Sequence, residues 1–184
     1  MMMPAIKPLI VENTSNISKL VNKVSDQQKE IDSLKDEIDM LKQQAKKKTI
    51  VISGLKPTDD ETADKSAMRL MKQLKINLHP TEIDDAFRVK KRNKETPDII
   101  VALTTHRKKV EIMTAKKNLR QLDEQIYINE QLTPRQGELF ASTRSLVKQK
   151  RILATWTRDG KVYVKKDGSS PFVINNIQEL KESA

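Results

Sequence analysis

From Ile10 to Ala45 the apolar residues recur on a heptad: Ile10, Ile17, Val24, Ile31, Ile38 and Ala45 share one position. Asn13, Leu20, Gln27, Leu34 and Leu41 fall three residues later, and the positions between are mostly charged or amide, as in Lys35-Asp36-Glu37. A stripe repeating every ~3.5 residues is narrower than the usual apolar face of a helix lying on a globular head, which is the weaker alternative; such a stripe is buried when helices wrap around one another. The pattern predicts a coiled-coil stalk over residues 10–48, after a disordered start at residues 1–9. Its seam is carried by Ile17, Leu20, Val24, Ile31, Leu34, Ile38 and Leu41. β-branched residues at one seam position and leucine at the other favour a parallel dimer, while the polar seam residues Asn13 and Gln27 leave dimer and trimer both open.

After Lys46, Lys47 and Lys48 the period changes. Thr49-Ile50-Val51-Ile52-Ser53-Gly54 reads as a buried strand stopped by glycine. Thr58-Asp59-Asp60-Glu61 has capping-box spacing. Ala67, Leu70, Met71 and Leu74 follow at the spacing of a helix with one buried face. Residues 82–90 read as a second strand, with Phe87 and Val89 on one face and Arg88 and Lys90 on the other; residues 98–103 read as a third. A helix over residues 105–118 around Val110 and Met113, and a strand at Gln125-Ile126-Tyr127-Ile128, complete the order βαββαβ over residues 49–129. That order is the split-βαβ, ferredoxin-like arrangement.

Residues 130–184 predict a small α/β C-terminal domain. Thr133-Pro134-Arg135-Gln136 combines an N-cap threonine, a proline at the first helical position and a capping-box glutamine. Leu139, Phe140, Thr143 and Val147 form that helix's buried side. Residues 152–166 read as a hairpin across Asp159-Gly160, a pair suited to a two-residue type I′ turn. A short strand at Phe172-Val173-Ile174 and a last helix over residues 176–182 follow. The fold class is thus α+β: a coiled-coil helix, a βαββαβ domain and a hairpin domain.

The hairpin carries the most telling chemistry. With Asp159-Gly160 as the turn, Arg158 opposes Lys161, Trp156 opposes Tyr163 and Ala154 opposes Lys165, and opposed residues share a face. One face therefore holds two aromatic rings among Arg158, Lys161 and Lys165, as stacking on unpaired bases beside a charged backbone requires. The other, with Leu153, Thr155, Thr157, Val162 and Val164, reads as the core face. Trp156 and Tyr163 could equally be core residues whose neighbouring lysines reach to solvent; Leu153, Val162 and Val164 already supply a core, which favours binding.

Charge adds to this picture. The chain carries 35 Lys and Arg against 25 Asp and Glu, a net of +10. The excess lies mostly beyond the stalk: residues 49–129 and 130–184 each have a net of +4, residues 1–48 a net of +2. Such an excess attracts polyanions, nucleic acid foremost. Candidate phosphate contacts are Lys90, Lys91, Arg92 and Lys94 between two strands, Arg107, Lys108 and Lys109 at a helix start, and Lys116, Lys117 and Arg120 at its end. Arg144, Lys148 and Arg151 form a stripe on the later helix. Any one cluster is ordinarily a solvated face; several on a short, net-positive head favour backbone contact.

Enzymatic readings find little support. The chain has no cysteine and two histidines, which leaves no thiol chemistry and no histidine metal cluster. Asp59-Asp60-Glu61 sits at a helix start and Asp84-Asp85 on a strand where neighbours face opposite ways, so neither suits a two-metal site. No GxxxxGK[ST] phosphate loop occurs. The sequence is read as that of a non-enzyme without cofactor or metal. It has no apolar run of the ~20 residues that span a bilayer, and Pro4, Lys7 and Pro8 break any signal-peptide core. The expected setting is a cytoplasmic ribonucleoprotein, with Lys91-Arg92-Asn93-Lys94 similar to a nuclear-import cluster.

The heptad stalk, the lysine-rich joint, the strand Ile50-Val51-Ile52-Ser53-Gly54-Leu55, the run from Ile126 to Pro134 and Trp156-Thr157-Arg158-Asp159-Gly160-Lys161-Val162-Tyr163-Val164 together resemble the first-open-reading-frame protein of LINE-type retrotransposons. They also resemble the related baculovirus few-polyhedra protein. The resemblance runs over nearly the whole chain. It implies a coiled coil, an RRM-like domain and a C-terminal domain, assembled as a trimer that coats single-stranded RNA and acts as a nucleic-acid chaperone. It further implies backbone contacts from Lys46, Lys47, Lys48, Lys90, Lys91, Arg92, Lys94, Arg135 and the hairpin residues. The first and third strands lack the aromatic residues with which an ordinary RRM stacks bases, as do the LINE-type proteins. The competing expectation is a protein-interaction module of the few-polyhedra type, whose stalk recruits partners and whose charge serves solubility.

Overall fold

The computed structural model describes residues 6–58, 60–91, 95–122, 124–176 and 179. The chain divides into two compact units, Met1–Leu41 and Lys42–Ala184. The first unit is helical. Helix α1 runs Ile6–Ala45, so it includes residues 6–9, which the sequence assigned to a disordered start, and no residue of it is buried. Nothing in its interior breaks it: Pro8 lies in the first turn, where a missing N–H costs nothing.

In the second unit, β1 (Thr49–Ser53), α2 (Ala63–Gln73), β2 (Ile83–Val89), β3 (Asp98–Leu103), α3 (His106–Ala115) and β4 (Tyr127–Glu130) follow one another. The four strands make one sheet in the order β2-β3-β1-β4, every neighbouring pair antiparallel. Alternation sets which face is covered. Ile50, Ile52, Ile99, Val101, Leu103 and Ile128 point to one side and pack with Ala67, Leu70 and Met71 of α2 and Ile112 of α3. Burying each large aliphatic side chain stabilises the fold by about 1.5–3 kcal/mol.

Local expectations fail here in three places, each for a visible reason. Helix α2 begins after Thr62 rather than at Thr58, because Asp60 takes a left-handed backbone (φ +59°) that no helix can pass through. The Glu61 carboxylate is engaged instead by the Arg69 guanidinium and by the Ser66 hydroxyl, which donates to it at 2.9 Å. Helix α3 turns Lys109 and Ile112 inward, not Val110, which is exposed. Strand β4 starts two residues later than expected. Gly54 ends β1 with φ +87°, and the Gln125 carbonyl crosses it so closely that a Cβ there would lie 2.2 Å away. Pairing therefore begins at Ser53 with Tyr127.

The C-terminal part packs α4 (Pro134–Lys148) on a second antiparallel sheet in the order β5-β6-β7, of Ala154–Arg158, Lys161–Lys165 and Phe172–Ile174. Thr133 caps α4, its Oγ1 accepting the Gln136 N–H at 3.3 Å. Leu139, Ile152, Val162, Val164 and Ile174 form the core, with Phe140 and Val147 partly buried against it. The register of β5 with β6 is the expected one, Ala154 to Lys165, Trp156 to Tyr163 and Arg158 to Lys161. Leu153 is a correction: it precedes β5 and is exposed, and Ile152 fills the core position. The helix expected at residues 176–182 lies largely outside the described residues.

Candidate nucleic-acid interface

The β5–β6 hairpin is built by its turn. Asp159 and Gly160 both have positive φ, +52° and +75°, as a type I′ turn demands. That turn sets Trp156 across from Tyr163, and the rings stack with centroids 5.7 Å apart and planes 6° from parallel. At that separation the parallel rings are offset and overlap only in part, so an unpaired base would add beside or outside the pair rather than enter between them. Arg158 and Lys161 stand exposed beside the turn, and Lys165 is half-buried opposite Ala154. Beneath the rings, the Thr155 hydroxyl donates to the Tyr163 carbonyl at 2.9 Å and lies 2.9 Å from the buried Thr143 hydroxyl of α4. The helix thereby holds the backbone under Tyr163.

Two charged residues that sequence reasoning missed hold the hairpin turn. Glu130, the last residue of β4, accepts the Asp159 N–H at 2.9 Å and the Gly160 N–H at 3.3 Å. Its charge is met by the Lys109 ammonium at 2.5 Å, the two side chains being 5% and 3% exposed. Lys109, which the sequence groups with Arg107 and Lys108 as a candidate phosphate contact, is a correction: it lies in the protein interior. The available signal was Glu130 itself, an acid closing a strand that begins at Tyr127 in a run of alternating aliphatic residues. Asp159 also meets the His106 Nε2 at 2.6 Å. Burial raises the Asp159 pKa, but the His106 hydrogen bond and charge, with Lys109 and Lys47, outweigh it and leave the carboxyl below its usual value. Gln43 completes the joint. Its amide donates to the Gln131 carbonyl at 3.0 Å and accepts the Thr133 N–H at 2.9 Å. Its side chain lies so close to Gly160 that a Cβ there would come within 2.3 Å of it.

The remaining cations differ in exposure and in what they meet. Lys47, Lys48, Lys90, Arg107, Arg135, Lys148 and Arg151 are exposed and Lys46 is half-buried; Lys48 donates to the Thr104 carbonyl at 3.1 Å. Lys91 is 2.7 Å from the buried Asp98 carboxylate. Arg92 and Lys94 lie outside the described residues. Lys108 sits between Glu111 at 2.9 Å and Glu82 at 3.1 Å. The Glu111 hydrogen bond, ahead of that to Glu82, lifts its pKa above the usual lysine value, so this ammonium is committed to carboxylates. Arg144 is exposed with its guanidinium 5.9 Å from the Phe140 ring centre. Lys116, Lys117 and Arg120 line a cleft of about 520 Å³ together with Tyr127. The seam residues Ile17, Leu20, Val24, Ile31, Leu34, Ile38 and Leu41 are all between 46% and 63% exposed.

Among the described residues no group of three or more His, Asp and Glu side chains gathers as a metal site, and no helix is long and apolar enough to cross a membrane. Comparison with protein-family models and with curated proteins returns no match.

Proposed function

We propose that this chain is an oligomeric, sequence-tolerant binder of single-stranded nucleic acid, RNA before DNA, that coats its strand as a ribonucleoprotein. The observation that carries the reading is the hairpin face: a Trp156–Tyr163 stack flanked by Arg158, Lys161 and Lys165. Stacking tolerates every base, since each has a π-face, and cations along the strand neutralise phosphate. The sheet order β2-β3-β1-β4 and the element order βαββαβ support reading residues 49–129 as an RRM-like, ferredoxin-like domain. The buried Lys109–Glu130 pair ties this domain to the hairpin turn, so both present to one strand as a unit.

The stalk supplies several heads per particle. In a parallel, in-register assembly Glu30 and Glu37 of one helix would face Lys35 and Lys42 of the next, at the positions flanking the seam where such pairs set orientation. Linked heads raise the effective concentration of every further contact.

The test is binding of a fluorescent single-stranded oligonucleotide to the full chain across a salt series, beside a Trp156→Ala/Tyr163→Ala variant. The reading expects affinity to fall steeply with salt, in proportion to the phosphates neutralised, and to fall further in the variant. A flat salt dependence with an unaffected variant would overturn it and leave the protein-interaction module as the better account.

A further inference from the structure

We infer that the cleft beside β4 is a docking site for a protein partner, which adds an extended segment of aliphatic residues flanked by Asp and Glu along the strand's outer edge. The strand order ends at β4, so among the described residues no strand pairs with that edge. The cleft runs along it. Five consecutive residues, Gln125 to Asn129, line the cleft, a length of ~16 Å at ~3.3 Å per residue. Successive side chains of a strand point to opposite faces, so a cleft that touches all five lies against an edge, and β1 occupies the inner one. The ladder also shows which backbone groups face outward. The Gln131 N–H donates to the Thr49 carbonyl, so Asn129 and Tyr127, at two-residue steps, turn their N–H and C=O groups to β1. Those of Ile128, between them, aim away from β1, where no described residue meets them. An added strand would pair with them.

The lining fixes the chemistry of that strand. On the far side of the cleft lies the turn Lys116–Gln121 that follows α3. Met113, Leu119 and Leu122 pack on the head core yet stay only partly buried, which leaves an aliphatic floor. Lys116, Lys117 and Arg120 stand exposed above it, and among the described residues none of the three meets a carboxylate. Elsewhere on the head Arg69, Lys91, Lys108 and Lys109 each have one. Glu124 is the one acid in the lining, so three positive charges face one negative. A nucleic-acid strand would use the cations but leave the aliphatic floor wet, and it would find no ring there. The register puts the Tyr127 side chain on the opposite face from Ile128, away from the floor. Carboxylates on the rim, aliphatic side chains on the floor and a peptide backbone along β4 answer all three features at once.

The experiment presents a random displayed peptide library to the full chain and, in parallel, to a Lys116→Gln/Lys117→Gln/Arg120→Gln variant. Peptides with aliphatic residues among Asp and Glu should be enriched on the parent and lost on the variant. A synthetic peptide of the enriched sequence should bind the variant about 3- to 100-fold more weakly, three exposed ion pairs each contributing about 1.4- to 5-fold. It should also shift the Met113 signal of methyl-labelled parent protein. The three residues are exposed, and an unchanged melting temperature verifies that the variant folds. No acidic enrichment, or a peptide that binds both proteins equally, would overturn the inference. So would an oligonucleotide salt slope smaller by about 2 in the variant with no peptide enriched, since the three cations would then be meeting phosphate. Neither result touches the hairpin reading. A parent chain that enriches these peptides and binds no oligonucleotide would overturn the proposed function alone.

Discussion

Helix α1 and the head contain the same kinds of apolar residue and use them in opposite ways. Ile31 and Leu34 of α1 are 46% and 49% exposed, whereas Ile50, Ile52, Leu70 and Ile99 of the head are fully buried. The difference is one of period. Strands that alternate and a helix with residues at i, i+3 and i+4 close on each other within one chain. A heptad stripe has no such partner in its own sequence, and a lone helix gains little from propensity. The head therefore takes its stability from intramolecular burial, and the stalk, on the proposed reading, from other copies and so from concentration.

The largest effect should come from breaking the stalk side of that contrast. Ile31→Asp with Leu34→Asp would place charges in the seam. Light scattering should report a fall from oligomer to monomer, while the melting temperature of the head stays put. Oligonucleotide affinity should drop by about 10²- to 10⁴-fold with the loss of linked heads. A parent chain that already scatters as a monomer would sink the stalk proposal.

The head side breaks at a single charge. Lys109→Met leaves Glu130 buried with its charge uncompensated, which costs about 3–5 kcal/mol and releases the hairpin turn. Lys108→Met, one residue away, removes a lysine whose partners are partly solvated, and should cost about 0–1 kcal/mol. Thermal melting checks both, and Trp156, the one tryptophan, reports the hairpin by its fluorescence. Equal losses would mean that burial does not distinguish the two lysines. Neither substitution should alter assembly.

That pair of lysines also marks where reading a sequence stops. The β5–β6 register was legible in full, because a two-residue Asp-Gly turn and strict alternation leave one arrangement. The buried face of α2 was legible from the spacing of Ala67, Leu70 and Met71, and the α4 cap from Thr133-Pro134. These are local facts. Lys109 was not legible, since its partner comes from a strand beyond the end of α3 and only the folded chain brings them together. That β4 ends the sheet, with Lys116, Lys117 and Arg120 beside it, is legible only once the strand order is known. Thr58 and Glu61 had the spacing of a cap, but the left-handed Asp60 overrode it.

The smallest effect separates the two regions by acid. Each holds a carboxyl below its ordinary pKa: Asp32 of α1, through the Gln28 hydrogen bond first and then Lys35, and Asp159 at the hairpin turn. A carboxyl whose pKa is lower folded than unfolded stabilises the fold fully above its unfolded value, near ~3.9, and loses that contribution as pH falls through the folded value. From pH ~5 upward neither group should make stability vary. Below that, Asp159 becomes protonated and its tie to His106 weakens. His106→Ala removes the strongest influence lowering that pKa and leaves burial, which raises it, so the acid transition of Trp156 fluorescence should move to higher pH. Asp32 is fully solvated and its partners lie on its own helix, so Asp32→Asn should leave both the acid transition and the assembly where they were. If Asp32→Asn moved the Trp156 transition as far as His106→Ala does, the signal would not be local to the turn, and Asp159 would lose its assigned part in holding the hairpin.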